Sequence, residues 1–315
     1  MSVKAIVITG PTASGKTSCA IKIAHALDGE IVSCDSMQIY KYMDVGTAKP
    51  DEVEKEGIRH HLMDFLEPWE EYSVAQYGPD ATGAILDIAS RGKTPIICGG
   101  TGLYVNCLVD NIRYDTVKKN EEEEAALTEK YTKYAEENGA EALHRILVTK
   151  DPQAAEQIHF NNVKRVVRAC VLHELTGLTL AERNSLSRTG PQLIDYQVYC
   201  VDRPREILYD RINLRVDIMM QNGLIEEAKR VLDICKAAGK ELSKTARQAI
   251  GYKEIYQYMD PETGAIREED LQLIADDIKQ ASRRYAKRQL TWMRKPEWVK
   301  MISPEDLLKE YNIEE

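Results

Sequence analysis

Residues 10–17, Gly-Pro-Thr-Ala-Ser-Gly-Lys-Thr, fit the pattern Gly-x4-Gly-Lys-Ser/Thr. They follow a β-branched apolar run and precede a helical pattern, which is the setting a phosphate-binding loop requires. Small residues at Gly10, Thr12, Ala13, Ser14 and Gly15 let successive backbone N–H groups face phosphate oxygens, and the N-terminus of the next helix adds positive potential. Lys16 supplies a mobile point charge for the outer phosphate, and the Thr17 hydroxyl is placed to ligate Mg2+. ATP or GTP is the common cargo of such loops. Here, however, the apolar run at 94–100 ends in Gly99-Gly100-Thr101-Gly102, where an NTPase would carry a carboxylate. Glycines there let another group approach the backbone, and Thr101 brings a hydroxyl toward the phosphates; a plain strand-ending turn is the competing reading. Asp35 ends a second strand at the carboxyl edge of the expected sheet, where α/β proteins bind ligands. Beside Ser36, its carboxylate can accept a proton or hold a metal through water, although a helix N-cap would use the same residue.

The elements that must hold these residues are readable from periodicity. Short β-rich runs at 4–10, 30–35, 94–100 and 196–202 alternate with helical stretches ending near 27 and spanning about 73–91. Strand–helix alternation predicts an α/β fold, a phosphate-loop parallel sheet flanked by helices. Between 114 and 195 the strand signal is lost. Asn120 with the glutamates after it reads as a helix start, Gly139 as its stop, and further helices are expected at 139–148 and 163–176, the latter stopped by Gly177. This predicts an all-helical insertion, with residues 1–113 and 196–315 forming a discontinuous core. Helices follow at 204–222, 225–238 and 269–293, then a short strand near 298–302 and a last helix.

Composition narrows the class. With 315 residues, 43% hydrophobic and 30% charged, the chain is globular rather than disordered. No apolar run approaches the roughly 18 residues of a membrane span, and the first residues lack a signal-peptide pattern. A cytoplasmic chain without membrane association is expected. Seven cysteines without a CxxC pair read as reduced core thiols, and the adjacent pair His60–His61 makes a poor metal site. The net charge of −9 argues against a nucleic-acid partner until the charges are placed. Residues 279–295 hold seven cations and no anion, with Tyr285 and Trp292 interleaved, and Arg284 and Arg288 share a helix face. Lys164, Arg165 and Arg168 form a second cluster. Cations with aromatic faces suit single-stranded RNA, while a solvated charged face remains the plainer alternative.

Taken together, GPTASGKT at 10–17, DSMQIYKYMDVGTAKP at 35–50, GGTGLY at 99–104, Arg211-x3-Arg215, Arg247-Gln-x2-Gly251-Tyr252 and KRQLTWMR at 287–294 resemble the tRNA dimethylallyltransferase family, in its bacterial form. The resemblance implies transfer of a dimethylallyl group from dimethylallyl diphosphate to N6 of the adenosine immediately 3′ of the anticodon. The phosphate loop would then hold a diphosphate leaving group and no ATP would be spent. By residue, it implies Asp35 as general base, Thr101 as donor to the bridging oxygen, and Arg215 with Lys16, Arg211 and Mg2+ at Thr17 as phosphate partners. The anticodon stem-loop would meet Asp35, Ser36, Met37, Gln38, Thr101, Lys164, Arg165, Arg168, Arg247, Gln248, Gly251, Tyr252, Lys287, Arg288, Trp292 and Arg294. A monomer is expected. A small-molecule kinase with the same loop is the alternative.

Overall fold

The computed structural model describes residues 2–114, 120–261 and 263–313. Residues 115–119 of the expected insertion lie outside the described residues. The backbone divides into two compact units, Met1–Val109 with Gln192–Glu315, and Asp110–Pro191.

The first unit is built on a six-stranded parallel sheet in the order β3-β2-β4-β1-β5-β6. Its strands are β1 (Val3–Thr9), β2 (Gly29–Ser33), β3 (His60–His61), β4 (Thr94–Gly99), β5 (Ile194–Val201) and β6 (Val299–Ile302). Side chains alternate across the sheet with period two, and both faces are apolar. Ala5 and Val7 of β1, Val32, Ile97, Val198 and Cys200 enter one core, beneath α2 (Val74–Ser90) and α3 (Gly102–Val109). Ile6 and Ile8, Ile31, Ile96, Tyr199 and Val201 enter the other, beneath α1 (Lys16–Ala26) and the terminal helix. Burying one such aliphatic side chain stabilises the fold by roughly 1.5–3 kcal/mol.

Among the described residues the regular elements of the second unit are all helices: α4 (Glu121–Asn138), α5 (Ala140–Lys150), α6 (Pro152–Gln157), α7 (Val163–Thr176) and α8 (Leu180–Leu186). It has its own core, centred on Leu143, Leu147, Val166 and Cys170. Thr179 and Glu182 form a capping box at the start of α8. The chain then returns through β5 to α9 (Arg205–Gln221), α10 (Leu224–Ala237), α11 (Lys244–Arg247), α12 (Tyr252–Tyr258), α13 (Leu271–Met293) and α14 (Pro304–Glu310).

One expectation is corrected, and one competing reading is set aside. The second strand stops at Ser33, two residues before Asp35, because the Cys34 carbonyl leaves the ladder to accept the Thr101 N–H at 3.1 Å. The residues after Gly100 do not stay a turn; they open α3 directly. His60 and His61 form the edge strand, and the seven cysteines are free and buried.

Candidate active site

Three loops leave the carboxyl edge of the sheet side by side, after β1, β2 and β4, and helices from the far end of the chain close over them. The first loop wraps residues 10–15 into the start of α1, with Gly15 left-handed at φ 100°. The first N–H groups of α1 have no carbonyl beneath them, as at any helix start, and are free for an anion. The loop carbonyls are occupied. Arg211 Nε donates to Ala13 O at 2.9 Å, Arg203 Nε donates to Ser14 O at 2.9 Å, and Lys16 Nζ reaches Pro11 O at 3.4 Å. Arg215, one turn along α9 from Arg211, places Nη1 3.4 Å from the Thr12 hydroxyl. Burial holds the Lys16 ammonium below its usual range, and the nearby Arg215 charge pushes the same way. Burial also lowers Arg215, with Arg211 adding to it. Among the described residues none of Lys16, Arg211 and Arg215 forms an ion pair with a carboxylate.

The second loop carries Asp35 to Gln38. One Asp35 carboxylate oxygen accepts the Met37 N–H at 2.9 Å, so the residue caps its own turn and begins no helix. The other oxygen accepts no hydrogen bond among the described residues. The Gln38 amide nitrogen donates to Thr47 O and Ala48 O at 3.3 and 3.1 Å, which fixes which end of that amide remains available. Behind it, the buried Glu227 carboxylate accepts the N–H groups of Asp44, Val45 and Gly46, each at 2.9 Å.

The third loop brings Thr101 to Ser36. Thr101 Oγ1 accepts the Ser36 N–H at 3.0 Å and donates to Ser36 Oγ at 3.3 Å. The glycines before it do admit close neighbours, but those neighbours belong to the protein: a Cβ on Gly99 would lie 2.2 Å from Cys34 O, and one on Gly100 2.2 Å from the Gln289 amide. Tyr285 of α13 lies against this corner. Burial raises its phenol, and the Asp35 charge raises it further.

The sequence-predicted residues therefore divide. Gly10, Thr12, Ala13, Ser14, Gly15, Lys16 and Thr17 with Arg211 and Arg215 meet at the first loop; Asp35, Ser36 and Thr101 meet beside it. The Thr12 N–H is not available to an anion, because it donates to Gln289 Oε1 at 2.9 Å. On α13, Lys287 and Arg288 are exposed, and neither has an ion-pair partner among the described residues. Trp292, by contrast, packs on Gly102, and Arg294 is paired with Asp202 at 3.0 Å. Arg247 and Gln248 are exposed at the end of α11. Tyr252 and Gly251 lie inside the protein rather than at its surface. Tyr252 is fully buried, its hydroxyl donating to Glu227 at 2.5 Å, and Gly251 is the buried N-cap of α12. In the helical unit, Lys164 and Arg165 are exposed on α7, and Arg168 pairs with Glu124. Sequence reading missed Gln289 and Glu227. Their only local signal was a polar side chain at an inward-facing helix position.

For Mg2+, the donor set at the loop is the Thr17 hydroxyl, and no cluster of three acidic, histidine or cysteine side chains exists among the described residues. That suits an ion held mainly by substrate phosphates and water. No helix among the described residues is long and apolar enough to cross a membrane.

The chain matches the family described as IPP transferase over residues 38–296 and that described as isopentenyl transferase over residues 2–66. It is 46% identical over 302 residues to the tRNA dimethylallyltransferase of Acetivibrio thermocellus, covering 96% of this chain and 92% of that one. The Bacillus velezensis tRNA dimethylallyltransferase is 42% identical over 307 residues, with 96% and 92% covered. Among solved structures, the tRNA isopentenylpyrophosphate transferase of Bacillus halodurans aligns with a TM-score of 0.68 at 37% identity, over 99% of this chain and 95% of that one. A eukaryotic dimethylallyltransferase acting on tRNA aligns with a TM-score of 0.78 at 28% identity, over 99% and 76%. A phosphate loop ringed by unpaired cations, with a half-free carboxylate and a threonine hydroxyl at its side, is thus found in a chain that belongs to the IPP transferase family.

Proposed function

We propose that this protein transfers the dimethylallyl group of dimethylallyl diphosphate to N6 of the adenosine immediately 3′ of the anticodon in tRNA, releasing diphosphate. The observation that carries this reading is the set of three cations around the loop with no carboxylate paired to them, adjacent to Asp35 and Thr101. Like charges one helical turn apart cost a few tenths of a kcal/mol, so Arg211 and Arg215 are better explained by an anion that joins them.

In the reaction, the N6 nitrogen attacks C1 of the dimethylallyl group, the C1–O bond breaks, and diphosphate leaves with the electron pair. Asp35 takes the N6 proton through its unoccupied oxygen. Thr101 turns its proton from the 3.3 Å contact with Ser36 Oγ to the bridging oxygen, giving up only a long hydrogen bond. Lys16, Arg211 and Arg215 face the charge that develops on the phosphates. Bound Mg2+, held through Thr17, would supply further charge neutralisation there. The target base must leave the anticodon-loop stack to reach Asp35, and the cations of α13 suit the phosphates around it. The protein acts as a monomer in the cytoplasm on this reading.

Incubation with undermodified tRNA, Mg2+ and dimethylallyl diphosphate, followed by digestion to nucleosides, tests it. N6-dimethylallyladenosine formed without ATP is expected. ATP-dependent phosphorylation of a small metabolite, with no tRNA product, would instead establish a kinase.

A further inference from the structure

Gln289 joins two of the three site loops through a single side chain. It is buried at 6% exposure on α13. Its Oε1 accepts the Thr12 N–H of the phosphate loop at 2.9 Å, and its Nε2 donates to Gly100 O, directly before Thr101, at 2.9 Å. Both ends of the amide are therefore used, each by a different loop. Gly100 is matched to this contact, since any Cβ there would stand 2.2 Å from the amide nitrogen. The neighbouring ladder continues the tie, with Thr9 Oγ1 donating to Gly99 O at 2.9 Å. The same helix carries Arg288 and Lys287 one and two positions before Gln289, exposed to solvent.

We propose that Gln289 is a positioning residue for the transfer reaction, setting the spacing between the phosphate loop and the Thr101 hydroxyl. The inference rests on the proposed transferase activity. The bridging oxygen must meet Thr101 while its phosphates sit in the loop, so an error in that spacing misaligns leaving group and donor without removing either. An amide suits this place because it presents one acceptor and one donor at fixed separation; no other uncharged side chain of this length does both. Both ends of the Gln289 amide are taken by the two loops, so its effect is expected on turnover rather than on RNA affinity.

Two variants of similar size separate this from a packing role. Gln289→Met keeps the volume and loses both hydrogen bonds. Gln289→Glu keeps the acceptor for Thr12 but turns an oxygen toward Gly100 O; once protonated, it donates there again. With undermodified tRNA and dimethylallyl diphosphate, kcat of Gln289→Met should fall about 10- to 100-fold, the scale of a small misplacement, with KM for tRNA nearly unchanged. The rate of Gln289→Glu relative to the parent protein should rise as pH is lowered toward carboxyl protonation; taking the ratio cancels the titration of Asp35. A Gln289→Met variant with the parent kcat, or a ratio for Gln289→Glu that is flat with pH, overturns the proposal. If the unaltered protein makes no dimethylallyladenosine, the activity reading fails by itself. The bridge is then judged by calorimetric titration with inorganic pyrophosphate. Gln289→Met should bind it several-fold more weakly with an unchanged unfolding midpoint, and equal affinity would remove Gln289 from the site's support.

Discussion

Arg211 and Arg215 face the phosphate loop from one side of α9, and Lys16 rises from its end. Burial disfavours the charge on Lys16 and on Arg215, and each adjacent cation adds to that cost. A protein keeps such an arrangement where an anion offsets it, which is why these residues carry more functional weight than the exposed cations elsewhere. Asp35 is the complementary case: one oxygen is tied to the Met37 N–H and the other accepts no hydrogen bond among the described residues. Asp35→Ala should lower kcat by about 10²- to 10⁴-fold, the usual contribution of a positioned general base, while pyrophosphate still binds. Single-turnover nucleoside analysis beside a pyrophosphate titration checks both halves, and an unchanged rate would end its role as base.

Among the elements, the segment from 36 to 48 has no regular structure of its own and depends on Glu227 of α10 and Tyr252 of α12 for its shape. Removing the buried carboxylate strands three backbone N–H groups and a phenol. Glu227→Ala should therefore cost about 3 kcal/mol, read as a lower urea midpoint. Helix α13 serves two ends at once. Its outer face offers Arg284, Lys287 and Arg288, and its inner face offers Gln289 and Met293. Replacing Lys287 and Arg288 together with alanine should weaken tRNA binding and flatten its dependence on salt, by roughly 0.7–0.9 in log–log slope for each phosphate no longer neutralised. Equal affinity at every salt concentration would take this face out of the RNA footprint. The strands and long helices were legible because β-branched runs and capping residues are local signals; Gly177 stops α7 as its type suggests. The phosphate-loop motif was legible because its spacing is a local pattern. Gln289 was passed over, and the burial of Tyr252 was not foreseen, because both bond to partners distant in sequence, and no local pattern encodes a distant partner. The edge strand at His60–His61 was missed because two residues are too few to show a period.

For the whole molecule, the two apolar cores divided by the sheet make stability a shared property, and one acidic group at the sheet margin is sensitive to pH. Glu30 of β2 accepts two short hydrogen bonds from Arg91 and one contact of 2.7 Å from His61. Its carboxyl is thereby held at about 2, against an ordinary 4.5, by Arg91 first and His61 next. A depressed native value stabilises the fold above the unfolded value and loses that contribution as pH falls from about 4.5 toward 2. Glu30→Gln should flatten the acid limb of a plot of stability against pH, and an unaltered limb would show that other carboxylates set it. One further consequence comes from the bridge between Thr12 and Gln289, which closes across 277 positions of chain. During synthesis the phosphate loop emerges early, whereas Arg211, Arg215 and then Gln289 follow long afterwards. Contacts of such sequence separation form late, so the nascent chain carries a glycine-rich loop that is not yet a working anion site. A chain that ends before α13 is therefore expected to bind pyrophosphate more weakly than the whole protein, which titration of the two side by side would check.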